Sequence, residues 1–264
     1  MASETKIHPL AIVEPGARLG VGVSVGPFCT IGAHVELGDH SEVISHVSLA
    51  GRTRIGSHAR IFPFASIGHI PQDLKYHGED STLEIGDHAI MREGVTMNPG
   101  TEGGGMATRV GHHCTFLANA HVAHDCIVGN HVIFSNNVML AGHCQVGDYA
   151  ILGGGAAVHQ FCRIGGGSMT SGNAVITEDI PPNALAHSRN LLSGLNLVGM
   201  RRRGLSTLEV TELKKAYHAV YAPGGNCLSL AQSALKSDDY TTDVAREFLN
   251  FFLGGKRGRF VQPE

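Results

Sequence analysis

The chain has 264 residues, 20 Lys and Arg against 23 Asp and Glu, and a formal charge of −3. That balance excludes a nucleic-acid binder held by bulk positive charge. With 42% hydrophobic and 16% charged residues the chain is too apolar to be disordered, although 35 Gly, 17 His and no Trp are unusual. Six Cys without a CxxC pair argue against a disulfide framework or zinc knuckle, and point to reduced thiols in a cytoplasmic protein. The opening residues lack an apolar segment behind a basic start, and no apolar run reaches about 18 residues. Neither a signal peptide nor a transmembrane segment is expected.

A six-residue period begins at Ile7, and every sixth position from there to Ile67 is aliphatic, Val13, Leu19 and Val25 among them. Residues 68–84 replace two units without changing the frame, which returns at Ile85, Met91 and Met97. Residues 98–109 shift it; it resumes at Val110 and runs to Ile176, with Thr170 its one polar member. Gly directly follows the aliphatic residue in twelve units, as at Gly20, Gly56 and Gly129, which reads as the permissive backbone of a tight corner. Four residues after the aliphatic stands a mostly small residue such as Ala11, Cys126 or Ala156. One large and one small inward position per short segment cannot come from a helix of period 3.6, and reads as the strands of a hexapeptide β-helix. If three units close one coil, residues 18 apart stack at the strand spacing of about 4.8 Å.

From about residue 190 the hexads stop and helical patterns begin. Ser206-Thr207-Leu208-Glu209 fits a capping box opening a helix, Pro223-Gly224-Gly225 breaks it, and apolar stripes near 227–236 and from Asp243 predict two more. The chain therefore divides into a β-helix over 1–189, with surface loops near 68–84 and 98–109, and an α-helical domain over 190–264.

Eight histidines (His34, His40, His46, His58, His88, His113, His131, His143) fall three residues after an aliphatic, an outward corner column with a surface role by default. His121, His124 and His159 fall at other outward offsets. Stacking by 18 puts His124, Gly142 and Gln160 in one file, with His143 beside the glycine. A histidine above a glycine amide suits acyl transfer, supplying a proton acceptor near neutral pH and a donor for the developing oxyanion. Two other readings of His124 remain: a surface histidine, or a zinc ligand grouped with His121 and His143 as in a carbonic-anhydrase-like hydratase. Five cysteines in the small column read as inert space-fillers. Arg201-Arg202-Arg203, following Asn196, reads as a solvated helix start or as a phosphate or acidic-partner contact. Asp73 and Lys75 in the first loop read as an exposed ion pair or as polar contacts.

The unbroken hexads together with IPQDLKY, NAHVAHDC, AGH, AAVHQF and RRRG resemble the acyl-(acyl-carrier-protein):UDP-N-acetylglucosamine O-acyltransferase family, which begins lipid A synthesis, and the similarity covers nearly the whole chain. The resemblance implies an all-β left-handed parallel β-helix with a C-terminal α-helical domain, and a homotrimer with active sites between subunits. It implies acyl carrier protein and a UDP-sugar as partners, and no metal or other cofactor, the acyl chain riding on the carrier's phosphopantetheine. Matched motif by motif, His124 corresponds to the general base, Asp125 to its orienting carboxylate and Gly142 to the oxyanion amide. Asp73, Lys75, His121 and His143 correspond to sugar and phosphate contacts; His159, Gln160, Asn196, Arg202 and Arg203 to positions around the nucleotide, the pantetheine or the carrier. Gly172, in the stretch with Met169, aligns with an acyl-length ruler, and a glycine there leaves room for a longer chain. Val198 stands where better-known members carry Glu, and Asn98-Pro99 where they carry His-Arg, so a 3-hydroxyl and a 3-amino acceptor both stay open. A related N-acyltransferase of the same pathway generally carries an extra N-terminal domain, whereas these hexads begin at Ile7. A non-catalytic solenoid, the remaining alternative, would not explain two loops interrupting an otherwise unbroken repeat.

Overall fold

Each hexad contributes one two-residue strand, Lys6–Ile7, Ile12–Val13 and Arg18–Leu19 being the first three, in a computed structural model that describes residues 4–255 and 258–264. Along most of the helix the first residue of each pair faces outward and the second, the aliphatic one, is buried, as at Thr30–Ile31 and Arg60–Ile61. Strands 18 residues apart pair in parallel and in register, Lys6 with Ser24 and Arg18 with Glu36. Every third strand therefore shares a sheet. Among the described residues the three sheets hold 12, 9 and 8 strands and form the faces of a left-handed parallel β-helix. We number the faces by their first strands: face one from Lys6–Ile7, face two from Ile12–Val13, face three from Arg18–Leu19.

The inward columns make one continuous core, because each coil covers only its neighbours. Phe116 stands over Phe134 edge-on at 5.1 Å, both fully buried. Thr170 belongs in this column despite its hydroxyl, since Oγ1 accepts the Gly153 N–H at 3.0 Å and is not left unpaired.

Two expectations about the corners need correction. Of the twelve glycines that follow an aliphatic residue, Gly68 alone has a left-handed φ. The others serve close approach of successive coils: a Cβ on Gly26 would stand 1.6 Å from the Ile44 carbonyl oxygen. The left-handed residue is the one three after the aliphatic, occupied by His40, His58, His88, His113, Asn119, Asp125, His131 and His143 at φ near 60°. His, Asn and Asp are the non-glycine residues that tolerate this region best, which accounts for the abundance of histidine. The shared hexad offset also does not make a single column. His40, His58, His88, His113, His131 and Tyr149 stack ring on ring at the corner after face three, with centroids 4.6–5.2 Å apart. His46 stacks between Phe28 and Phe64 at the corner after face one, and His143 stacks on Phe161 at the corner after face two.

Both insertions leave from that last corner in consecutive coils. The first follows Ser66–Ile67 and the second Thr96–Met97, strands that pair with each other, and the next strand in the stack is His121–Val122. The inserted segments are shorter than expected, because Thr82–Ile85 and Ala107–Val110 are already strands of face three.

The helix ends in an antiparallel hairpin, Ala184–His187 with Leu191–Leu195, on the edge of face one. Four helices follow, α1 (Leu197–Arg202), α2 (Thr207–Tyr221), α3 (Cys227–Ala234) and α4 (Asp243–Phe251). The capping box at Ser206 and Glu209 forms with both bonds present. Arg201 and Arg202 sit in the last turn of α1, not at a helix start, where their charge complements the carbonyl end of the dipole. Buried Glu212 of α2 accepts from the backbone and hydroxyls of Thr241 and Thr242, and so clamps the start of α4. Arg163 joins the two parts, bonding Asp179 and the Phe251 carbonyl while lying 4.1 Å over the Phe251 ring. Among the described residues no helix is long and apolar enough to cross a membrane.

Candidate active site

Where the two loops fold back over the corner after face two, they enclose a groove of about 920 Å³. Its polar end carries Asp73, Lys75, His121, His124 and His143; its apolar floor is the outward column of face two, Met139, Ala157 and Val175. A somewhat larger groove of about 1040 Å³ runs along face three, but there Arg18 pairs with Glu36 and Arg109 with Glu84. Its histidine–carboxylate contact, His112 with Asp87, is spent within the ladder, since His112 Nδ1 accepts the Asp87 N–H at 3.0 Å.

His124 lies directly against Gly142, where a Cβ would be 2.6 Å from ring atoms Cε1 and Nε2. The coil register places them so, since the His143 N–H donates to the His124 carbonyl and the Phe161 N–H to that of Gly142. His124 Nδ1 is 2.8 Å from Asp125 Oδ2. A carboxylate can only accept, so Nδ1 carries a proton, and in the neutral ring the lone pair is then on Nε2. Asp125 is buried, and its carboxylate also accepts from Thr101 N at 2.9 Å and Thr101 Oγ1 at 2.6 Å, while its own N–H donates to Thr108 Oγ1. The second insertion thus holds the carboxylate that orients His124. The first brings Asp73 Oδ2 to 4.0 Å from His124 Nε2.

His121 bonds Thr96 Oγ1 through Nδ1 at 2.7 Å; burial first, and then the neighbouring His124, hold its pKa below the ordinary value. Burial also lowers His143, against the attraction of Asp125. Both rings are therefore neutral at neutral pH and available as hydrogen-bond partners. The Gly142 amide has no acceptor among the described residues. Equivalent corner amides elsewhere do: Ala33 N–H donates to Glu14 Oε2 at 3.0 Å and Ser57 N–H to Asp87 Oδ1 at 2.7 Å. Such amides evidently suit anionic oxygens.

His159 and Gln160 also line the groove. Asn196, Arg202 and Arg203 are not brought there. Asn196 caps α1 and bonds the Gly167 carbonyl at the corner after face three; Arg203 bonds Asn183 and lies over Tyr149 at that same corner. Nor do Met169, on the outside of face one, and Gly172, on the corner beyond it, line this groove. The suggested zinc set His121, His124 and His143 is not the close one, which is His124, Asp125 and His143, with the Asp125 oxygens already bonded.

Thr96, Thr101 and Thr108 were not singled out by sequence. Their partners lie 25, 24 and 17 residues away, and no 18-residue rule crosses an insertion of unknown register. Asn98, one of the departures from the family pattern, is buried and donates from Nδ2 to the His69 and Ile70 carbonyls, tying the two loops together.

A hexapeptide-repeat transferase with a histidine–carboxylate pair set over a glycine amide is the class that this fold and groove define. Residues 107–142 match the bacterial transferase hexapeptide family, and residues 179–260 the second domain of UDP N-acetylglucosamine O-acyltransferase. An acyl-(acyl-carrier-protein):UDP-N-acetylglucosamine O-acyltransferase from Methylobacterium radiotolerans is 64% identical over 95% of this chain and 93% of its own; one from Thiobacillus denitrificans is 46% identical over 96% and 98%. The solved UDP-N-acetylglucosamine acyltransferase of Campylobacter jejuni superposes with a TM-score of 0.91 at 35% identity, covering 97% of this chain and 99% of that one. The chain belongs to the acyl-(acyl-carrier-protein):UDP-N-acetylglucosamine O-acyltransferase family.

Proposed function

We propose that the groove moves a 3-hydroxyacyl chain from the phosphopantetheine thioester of acyl carrier protein to the 3-position of UDP-N-acetylglucosamine, the first step of lipid A synthesis. The observation that carries this is the His124 ring lying against the unpaired Gly142 amide. His124 Nε2 takes the proton of the sugar hydroxyl as its oxygen attacks the thioester carbon. The Gly142 N–H donates to the oxygen that becomes negative, and the buried Asp125 carboxylate steadies the imidazolium. Collapse breaks the C–S bond, and His124 returns the proton to the departing thiolate. Base, oxyanion donor and acid are all groups of the chain, so the steps call for no cofactor.

A catalytic unit split between two corners supports a homotrimer, and six cysteines held as buried thiols support a reducing, cytoplasmic setting. His124 faces the corner after face two, and Asn196, Arg202 and Arg203 gather near the corner after face three. Side-by-side packing of three prisms would bring one subunit's arginines to its neighbour's groove, where they could meet a nucleotide diphosphate or the acidic carrier protein. The acyl chain would lie along Met139, Ala157 and Val175, and the missing side chain of Gly172, on an adjacent corner, would leave room for a longer one.

Replacing His124 by Ala should lower kcat by about 10² to 10⁴ while leaving the fold intact. A folded variant that keeps most of its activity would refute the assignment. Running the assay with both UDP-N-acetylglucosamine and its 3-amino analogue decides the acceptor, and stoichiometric zinc in the purified protein would instead favour the hydratase reading.

A further inference from the structure

The peptide that carries the Gly142 N–H has its carbonyl on Ala141. At other corners that carbonyl accepts the N–H of the residue closing the turn, as with Ala156 N–H to Gly153 O at 3.0 Å. Around Gly142 the turn is open. The Ala141 oxygen is instead 3.2 Å from the buried Cys126 Sγ, and among the described residues this thiol is its one donor. Ser41 has the same inward offset on the corner after face three, and its hydroxyl makes the equivalent bond to the Gly56 carbonyl at 3.0 Å. A small donor at this position is therefore a device that the coil accommodates.

We infer that Cys126 is a positioning residue for the acyl-transfer step: its thiol proton holds the Ala141 carbonyl and so orients and polarises the Gly142 N–H that faces the developing oxyanion. The inference rests on the acyltransferase reading of the site. Its physical basis is cooperativity, since a hydrogen bond to the oxygen end of an amide strengthens the donor at its nitrogen end. Its sulfur also meets that of Cys144, whose own proton reaches the His159 carbonyl at 3.1 Å; the Cys126 thiol acts through its proton. Buried and enclosed, it takes no part as a nucleophile. Holding the carbonyl also limits rotation of a peptide plane that leads into glycine, the residue with the most backbone freedom.

The test compares Cys126→Ala and Cys126→Ser with the wild type in the acyl-transfer assay, with thermal midpoints measured alongside. Ala fills the same inward offset on the other two corners, at Ala59, Ala120 and Ala150, so the variant should fold. Cys126→Ala should lower kcat about three- to tenfold with KM little changed, a fraction of the roughly 10² to 10³ that a whole oxyanion donor contributes. Cys126→Ser should restore most of kcat, because the hydroxyl still donates. Cys114→Ala, which removes a thiol bonded to the Gly129 carbonyl at the corner after face three, should leave kcat unchanged. Full kcat in Cys126→Ala, an equal loss in the Ser variant, or a change confined to KM would overturn the inference. Absence of transfer by the wild-type protein would count against the acyltransferase reading itself.

Discussion

At the scale of single residues, the site depends on a glycine that has no conformational reason to be one. Gly142 is not in the left-handed region, so alanine is compatible with its backbone; the obstacle is His124, 2.6 Å from where a Cβ would stand. Gly142→Ala should therefore fold with a nearly unchanged melting temperature and lose about 10²-fold in kcat, the order expected when a catalytic group is displaced by an ångström. A large drop in melting temperature would assign the glycine to stability instead. His124 and Gly142 were legible because stacking by 18 joins them within an uninterrupted run of hexads. Thr101 was not, since its contact with Asp125 crosses an insertion whose path no periodicity encodes.

Among the elements, α4 is held less by its own propensity than by one carboxylate of α2. Four donors from Thr241 and Thr242 converge on Glu212 and lower its pKa to about 2. A depressed carboxyl pKa stabilises the fold above the unfolded value near 4.3, and that contribution is lost as pH falls from there toward 2. Glu212→Gln should lower the melting temperature at pH 7, and the gap between variant and wild type should close on acidification through that window; a constant gap would mean that charge is not involved. In the β-helix, Phe134→Ala removes a fully buried ring from a core with no slack and should cost about 3–5 kcal/mol in denaturant unfolding. The capping box of α2 could be read directly, being written in four consecutive residues. The short α1 was missed: six residues are too few for a periodic signal, and its N-cap, Asn196, is fixed by a bond to distant Gly167.

For the whole molecule, the proposed sharing of each site between two corners makes a prediction about assembly. Size measurement in solution should give three copies. Mixed trimers of His124→Ala and Arg202→Ala subunits, each nearly inactive alone, should regain part of the activity, because some interfaces then pair an intact His124 with an intact Arg202. No recovery on mixing would mean that each site is built within one subunit. The sequence by itself determined the β-helix, its three-sided coil, the buried large and small columns, the helical tail and the file of His124, Gly142 and Gln160, because all of these follow from short-range periodicity and register. Only the tertiary structure decided which corner each histidine occupies, because the hexad offset repeats on all three corners. It decided too that both insertions converge on one of them, and that the Asp125 carboxylate is held by a loop, because where an insertion comes to rest is set by packing and hydrogen bonds that no repeat records.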